Sequence, residues 1–206
     1  MYLSKLHLDI HSMKARKCMR DCQEMHRSVQ RLFQCSRQDS GALYRFNPQR
    51  MDVYVLSAAE PEASVDMSLA GMSLVGVKNL LAMEQNFSAG QCYRFDLLAM
   101  PSKKQPREGH KNSQRRFLRT PEERMQWLQR KSIQYGFALL QVQEEEQVAV
   151  DGYHDSEHGG RMKGQAVRFQ GVLVVKDTAL FCQGWKGGIG AGKAYGLGML
   201  LLGAFG

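Results

Sequence analysis

Gly187-Gly188-Ile189-Gly190-Ala191-Gly192-Lys193-Ala194-Tyr195-Gly196-Leu197-Gly198 holds six glycines in twelve residues, with a lysine and a tyrosine inside the run. Glycine loses more backbone entropy on folding than any other residue. Such density is kept where the chain takes positive φ or passes close to another surface. Successive N–H groups beside a lysine form a concave anion site, and phosphate is the guest that fits. Gly187, Gly192 and Lys193 match the P-loop spacing G-x-x-x-x-G-K, but Ala194 takes the place of the magnesium-binding hydroxyl. The dinucleotide pattern G-x-G-x-x-G fails too, because Tyr195 stands where the third glycine belongs. What remains is a loop that cradles a nucleic-acid backbone and feeds a last apolar strand over 198–202. The leucines at 200–202 read as buried strand and argue against a flexible tail.

The 206 residues suffice for one large domain or two small ones, and 43% hydrophobic content allows a real core. The net charge of +8 points to a polyanionic partner. The cysteines at 18, 22, 35, 92 and 182 form no CxxC pair, and no apolar run approaches membrane-spanning length. Met1-Tyr2-Leu3-Ser4-Lys5 starts like a strand rather than a secretion signal. A reducing, cytoplasmic compartment with free thiols is expected.

Outward from the loop, the elements come in two similar series. Residues 1–10 alternate as a strand, and 14–34 carry a helical apolar stripe with a basic remainder. A hairpin over 43–47 and 53–57 turns at Asn47-Pro48. A short helix over 64–69 and a fourth strand over 80–83 are expected next. The second series opens with a strand over 92–100, followed by a basic loop over 102–119. Thr120-Pro121-Glu122-Glu123 is a strong helix start, and Gly136 stops that helix. Strands over 137–142, 148–150 and 166–176 follow, with a loop at 153–164 and a helix capped by Asp177. Two successive β-α-β-β-α-β units predict an α+β fold of tandem ferredoxin-like (RRM-like) domains, 1–89 and 90–206. The aromatic RNP signature is missing, so RNA contacts would rest on loops and basic faces.

Several segments together resemble a known family. They are the N-terminal pentapeptide, His26 followed by Leu32-Phe33, Leu43-Tyr44-Arg45, Val55-Leu56-Ser57 and Tyr93-Arg94-Phe95. Further on come Trp127-Leu128-Gln129-Arg130-Lys131, Phe169-Gln170-Gly171-Val172-Leu173 and the glycine loop. Their order and spacing are similar to the CRISPR-associated endoribonuclease of the CasE type, the crRNA-processing subunit of the type I-E Cascade complex. The resemblance covers nearly the whole chain and is weakest over 60–90. It implies tandem ferredoxin-like domains that bind a CRISPR repeat stem-loop and cut it at the 3′ base of the stem without a metal or other cofactor. It also implies that the enzyme stays on its product and joins the other Cascade subunits, especially the backbone subunit.

RNA carries its own nucleophile, the 2′-OH, and a group titrating near neutrality suits proton transfer at it. His26 matches the family's catalytic histidine. The family places a tyrosine three residues earlier, where this chain has Gln23, which donates a hydrogen bond but is no phenolic base. Lys193 and the amides around Gly188, Gly190 and Gly192 would stabilise charge on the phosphate. RNA contacts are expected from Lys103, Lys104, Arg107, Lys111, Arg115, Arg116 and Arg119, and from Arg161 and Lys163. Cys18, Cys22 and His26 at i, i+4 and i+8 invite a zinc reading. The ends of that series are about 12 Å apart along a helix, too far for one ion. Glu144-Glu145-Glu146 reads as a solvated turn. A second functional reading is a cleavage-deficient hairpin-binding subunit of the same complex, motivated by Gln23. A third is a basic RNA-binding module unrelated to CRISPR.

Overall fold

The computed structural model describes residues 1–62, 64–105, 114–153 and 161–205, with the backbone alone described at 114, 146–147, 151–153 and 161–163. The chain opens with β1 (Tyr2–Leu8), which buries Leu6 and Leu8 completely. Two helices follow, α1 (Met13–Arg20) and α2 (Cys22–Gln30), where periodicity predicts a single helix over 14–34. Asp21 makes the break. Its backbone is extended (φ −129°, ψ 108°), and its N–H donates to the Lys17 carbonyl as α1 ends. Its carboxylate accepts the Gln23 N–H at 2.8 Å, which caps α2. The break also takes Cys18 off the helix that carries Cys22 and His26. Cys18 belongs to α1 and is buried, with its sulfur 3.2 Å from the Ser28 hydroxyl.

After the short α3 (Arg37–Ser40), β2 (Leu43–Asn47) and β3 (Asp52–Ser57) form the expected hairpin. A 3-10 turn at Ser68–Ala70 replaces the short helix read over 64–69. The fourth strand is β4 (Met72–Asn79), and residues 81–85 form α4 (Leu81–Gln85) rather than a strand. The Asn79 side chain accepts the Leu81 N–H at 2.8 Å and turns the chain out of the sheet there.

The second unit begins with β5 (Cys92–Ala99). The stretch read as a basic loop contains an antiparallel ribbon, β6 (Ser102–Gln105) with β7 (Gln114–Phe117). The helix α5 (Pro121–Gln134) starts on Thr120, whose hydroxyl accepts the Glu123 N–H at 3.2 Å. One long strand, β8 (Phe137–Tyr153), runs through the segment read as two strands and an acidic turn. Its two register shifts absorb the irregularity. Glu144 is held there by the buried Arg124, which donates to it at 2.5–3.0 Å, and Glu145 lies 3.4 Å from Arg168. The partner strand β9 (Arg161–Val175) starts earlier than the alternation suggests. Finally α6 (Thr178–Gly187), capped by Asp177, leads through the glycine loop to β10 (Leu200–Ala204).

The two four-stranded sheets have orders β2-β3-β1-β4 and β10-β5-β9-β8, with antiparallel neighbours throughout. In each, the first strand lies between the third and the fourth. This is the ferredoxin-like order, met twice. In the first unit the second helix has shrunk to the 3-10 turn. The first core fills with Leu6, Leu8, Val29, Leu32, Val53 and Val55. The second is aromatic, and Phe87 meets Phe181 and Trp185 edge-on at 5.1 Å. Leu43 and Leu56 of the first sheet pack into that second core, so the units share apolar surface. No described helix is long and apolar enough to cross a membrane.

Candidate active site

The apolar stripe of α2 points Met25 and Val29 into the first core and leaves His26 half-buried at the rim. The Tyr44 ring, 2% exposed on β2, lies against the imidazole with centroids 6.4 Å apart and planes inclined by 21°. The Tyr44 hydroxyl sits 3.0 Å from the Cys22 carbonyl and 3.1 Å from the Ala194 carbonyl. One phenol therefore ties the first residue of α2 to the 3-10 turn Lys193–Tyr195 of the glycine loop.

That loop is packed down on the protein. A Cβ at Gly190 would stand 3.0 Å from the Trp127 ring, and one at Gly196 would stand 2.8 Å from the Tyr44 ring. Both glycines have positive φ, so side chains are excluded by conformation as well as by contact. Gly188 is buried against Leu43, whereas Gly190 and Gly192 remain partly open to solvent. Seating the loop on Trp127 brings Lys193 toward Lys131, one helical turn further along α5.

Electrostatics follow from this crowding. Burial first, then the Arg37 and Arg27 guanidinium groups, pulls the His26 pKa below the ordinary histidine value. Its neutral form is favoured at neutral pH. Burial, followed by Lys131 and Arg37, also lowers the pKa of Lys193. Lys131 is lowered in turn by burial and by Arg115 and Arg130. A track of like charges thus runs from Arg115 through Lys131 and Lys193 to Arg37, beside His26. Among the described residues, the acidic groups bordering it are engaged elsewhere. Glu24 pairs with Lys17 and Arg27, and Glu123 with Arg116 and Lys103. An unneutralised cation track beside a neutral imidazole suits a polyphosphate backbone.

The start of α2 and the 3-10 turn meet at this junction, where His26 and Lys193 both lie within reach of the Arg37 charge, and the Gln23 backbone is fixed there by the Asp21 cap. Lys103 and Lys104 face Arg116 and Arg115 across the ribbon. One ribbon face, Lys103 with Arg116, turns to Glu123, while Arg115 influences Lys131. Arg119 is exposed just before α5, and its carbonyl accepts from Arg124 at 2.5 Å. Arg107 and Lys111 lie outside the described residues, as do His110, His154 and His158. Arg161 and Lys163 are placed on β9 by their backbone, opposite Tyr153 and Asp151. Sequence reasoning missed Tyr44, Arg37 and Lys131 as members of the site, although the segments carrying Tyr44 and Lys131 contributed to the resemblance. A groove of about 490 Å³ on the open face of the second sheet, lined by Arg94, Asp96, Gln141 and Gln170, includes none of these residues.

The architecture is that of a two-unit ferredoxin-like protein with a basic cluster beside a histidine. The family model described as CRISPR associated protein matches residues 1–203, and the chain belongs to that family. It is 31% identical to the CRISPR-associated endoribonuclease Cse3 of Thermus thermophilus, over 97% of this chain and 98% of that one. It superposes on CRISPR endoribonuclease Cse3 bound to a 19-nucleotide RNA with a TM-score of 0.82 at 30% identity, covering 98% of this chain and 100% of the other. A subunit of a CRISPR RNA-guided surveillance complex in its pre-nicking state matches with a TM-score of 0.76 at 26% identity, over all of both chains.

Proposed function

We propose that this protein is a metal-independent endoribonuclease that binds the CRISPR repeat stem-loop. It cleaves the precursor at the 3′ base of the stem and stays bound as a subunit of the cytoplasmic Cascade surveillance complex. The observation that carries this reading is a half-buried imidazole, its pKa held low by burial and by Arg37, on the same cluster of cations as Lys193 and Lys131. The kinship with an endoribonuclease, with an RNA-bound relative and with a surveillance-complex subunit supports it.

The reaction follows from the groups present. His26 takes the proton from the 2′-OH as that oxygen attacks phosphorus. The P–O5′ bond breaks, and the Lys193 ammonium gives its proton to the departing oxygen. The products are a 2′,3′-cyclic phosphate and a 5′-hydroxyl. Every participant is a side chain or the RNA itself, so the step needs no metal. Gln23, Gly190 and Gly192 line the phosphate approach, and Gly188, buried with its N–H on the Gly184 carbonyl, seats the loop. Lys103, Lys104, Arg107, Lys111, Arg115, Arg116, Arg119, Arg161 and Lys163 hold the stem by its backbone. The two units are taken as 1–89 and 90–206.

Gln23 motivates a second reading, a hairpin holder that does not cut. Single-turnover cleavage of the cognate repeat RNA in EDTA, wild type beside His26→Ala, separates the two. Cutting by the wild type, with binding but no cutting by the mutant, is expected. Tight binding by both without product would overturn the enzymatic reading.

A further inference from the structure

A phosphoryl transfer at RNA develops negative charge on the non-bridging oxygens as well as on the leaving oxygen. Base and acid do not meet that charge directly, and α2 carries one neutral donor type near its start, the amide of Gln23. The glycine loop supplies another candidate. The Cys22 and Ala194 carbonyls both lie within hydrogen-bond distance of the Tyr44 hydroxyl, so residue 195 enters directly beside the start of α2. Tyr195 is half-exposed, and its ring packs with Cys22 against the small cluster formed by Met100, Val150, Ala166 and Leu197. Cys22 lies one helical turn before His26, and residues at that spacing share a helix face. The turn is held rigidly, because Gly192 and Gly196 on either side are both in the left-handed region and Tyr195 N–H closes on the Gly192 carbonyl at 2.8 Å.

Resting on the endonuclease reading above, we propose that Tyr195 is a catalytic residue whose hydroxyl donates a hydrogen bond to a non-bridging oxygen of the scissile phosphate, opposite His26. Its chemistry suits that task. Burial, then Cys22, pushes the phenol pKa up against the opposing pull of Arg37, so the O–H is retained across the neutral range. Tyr195 therefore acts as a donor, and the base role stays with His26. The second donor of the site comes from the glycine loop, far along the chain from the helix that carries the base.

The test is Tyr195→Phe in the full chain, which keeps the ring in its apolar contacts and removes only the hydroxyl. Single-turnover cleavage of the repeat RNA is measured in EDTA. The dissociation constant is measured in parallel on the same RNA with a 2′-deoxy nucleotide at the cut. An unchanged dissociation constant and a cleavage rate about 100-fold lower are expected, the usual loss for one transition-state donor. A mutant that cuts at the wild-type rate would sink the proposal while leaving the endonuclease reading intact. Equal losses of binding and cleavage would sink it too, by making Tyr195 a binding or folding residue. A wild type that does not cut would remove the endonuclease reading itself.

Discussion

The imidazole of His26 lies nearly parallel to the ring of Tyr44, with 6.4 Å between centroids, and the same tyrosine ties the Cys22 carbonyl to the Ala194 carbonyl. One buried side chain thus sets both the facing of the candidate base and the distance between α2 and the glycine loop. Tyr44→Phe keeps the ring contact and strips two carbonyls of their shared donor. A loss of about 1–2 kcal/mol in urea unfolding is expected. The cleavage rate should fall more than RNA affinity, because the loosened element carries Lys193 and Tyr195 relative to His26. Equal effects on both would show that Tyr44 only stabilises the fold.

The lowered pKa of His26 has a defined consequence for pH dependence. In the proposed reaction the neutral imidazole is the base, so the rate should rise with pH through the folded-state value and level off. That acid limb should lie below about 6.5, the ordinary histidine value. Arg37→Ala removes one of the cations that depress it. The limb should then move up toward the ordinary value. The unfolded chain binds this proton at higher pH than the folded one. The stability linked to His26 is therefore present above about 6.5 and is lost as pH falls through the folded-state pKa. A rate profile from pH 5 to 8 for wild type and Arg37→Ala checks the direction; an unmoved limb would rule out Arg37 as the cause.

The parts of this molecule that sequence reveals are those whose signal is local. Thr120 and Asp177 cap their helices as their neighbours suggest, and the alternation of β5 survives into its burial pattern. The break at Asp21 is hidden in the sequence because the apolar stripe continues across it through Met25 and Val29. The edge strand β4 is hidden because Val75 and Val77 are both exposed around Gly76, which erases the period of two. Lys-Lys-Gln and Arg-Arg-Phe hold no apolar alternation at all, so the ribbon reads as a loop. His26 and Lys193 stand out as residue types. Arg37, Lys131 and Tyr44 reach the site from three separate elements, and only the tertiary fold brings them there.

The two faces of the β6–β7 ribbon should contribute unequally to RNA binding. Lys103 and Arg116 are already turned to Glu123, whereas Lys104 and Arg115 leave their charge to the track that includes Lys131. Each lost phosphate contact lowers the salt slope of log Kd by about 1. Lys104→Ala with Arg115→Ala should therefore flatten that slope by about 2, and Lys103→Ala with Arg116→Ala by less. Lys131→Ala should weaken binding and also relieve Lys193, raising its pKa. Titration of RNA binding from low to high salt distinguishes the pairs; identical slopes for the two double mutants would overturn the assignment of faces.

Arg45 of the first sheet reaches Asp96 of the second at 3.1 Å, and Arg168 and Gln170 complete the carboxylate's partners at 2.6–3.3 Å. Burial alone would raise the Asp96 pKa, but Arg168 and Arg45 bring it below the ordinary value. This is a polar clasp between units that also meet through leucines, the Tyr44–Ala194 hydrogen bond and the Glu84–Lys186 ion pair. Asp96→Ala leaves two guanidinium groups without their shared carboxylate, and Arg45 is only 10% exposed. A loss of about 2–3 kcal/mol is expected, less than for a fully buried pair because Asp96 keeps some contact with water. Asp96→Asn keeps the shape and some hydrogen bonds and should cost less. The wild-type clasp contributes its stability above about pH 3.9 and loses it as pH falls through the folded-state pKa of Asp96, so Asp96→Ala should flatten acid unfolding in that window. Denaturant melts of both variants at pH 7 and pH 3 test this. An Asp96→Ala protein as stable as wild type at pH 7 would mean that the other contacts between the two units hold them together without the clasp.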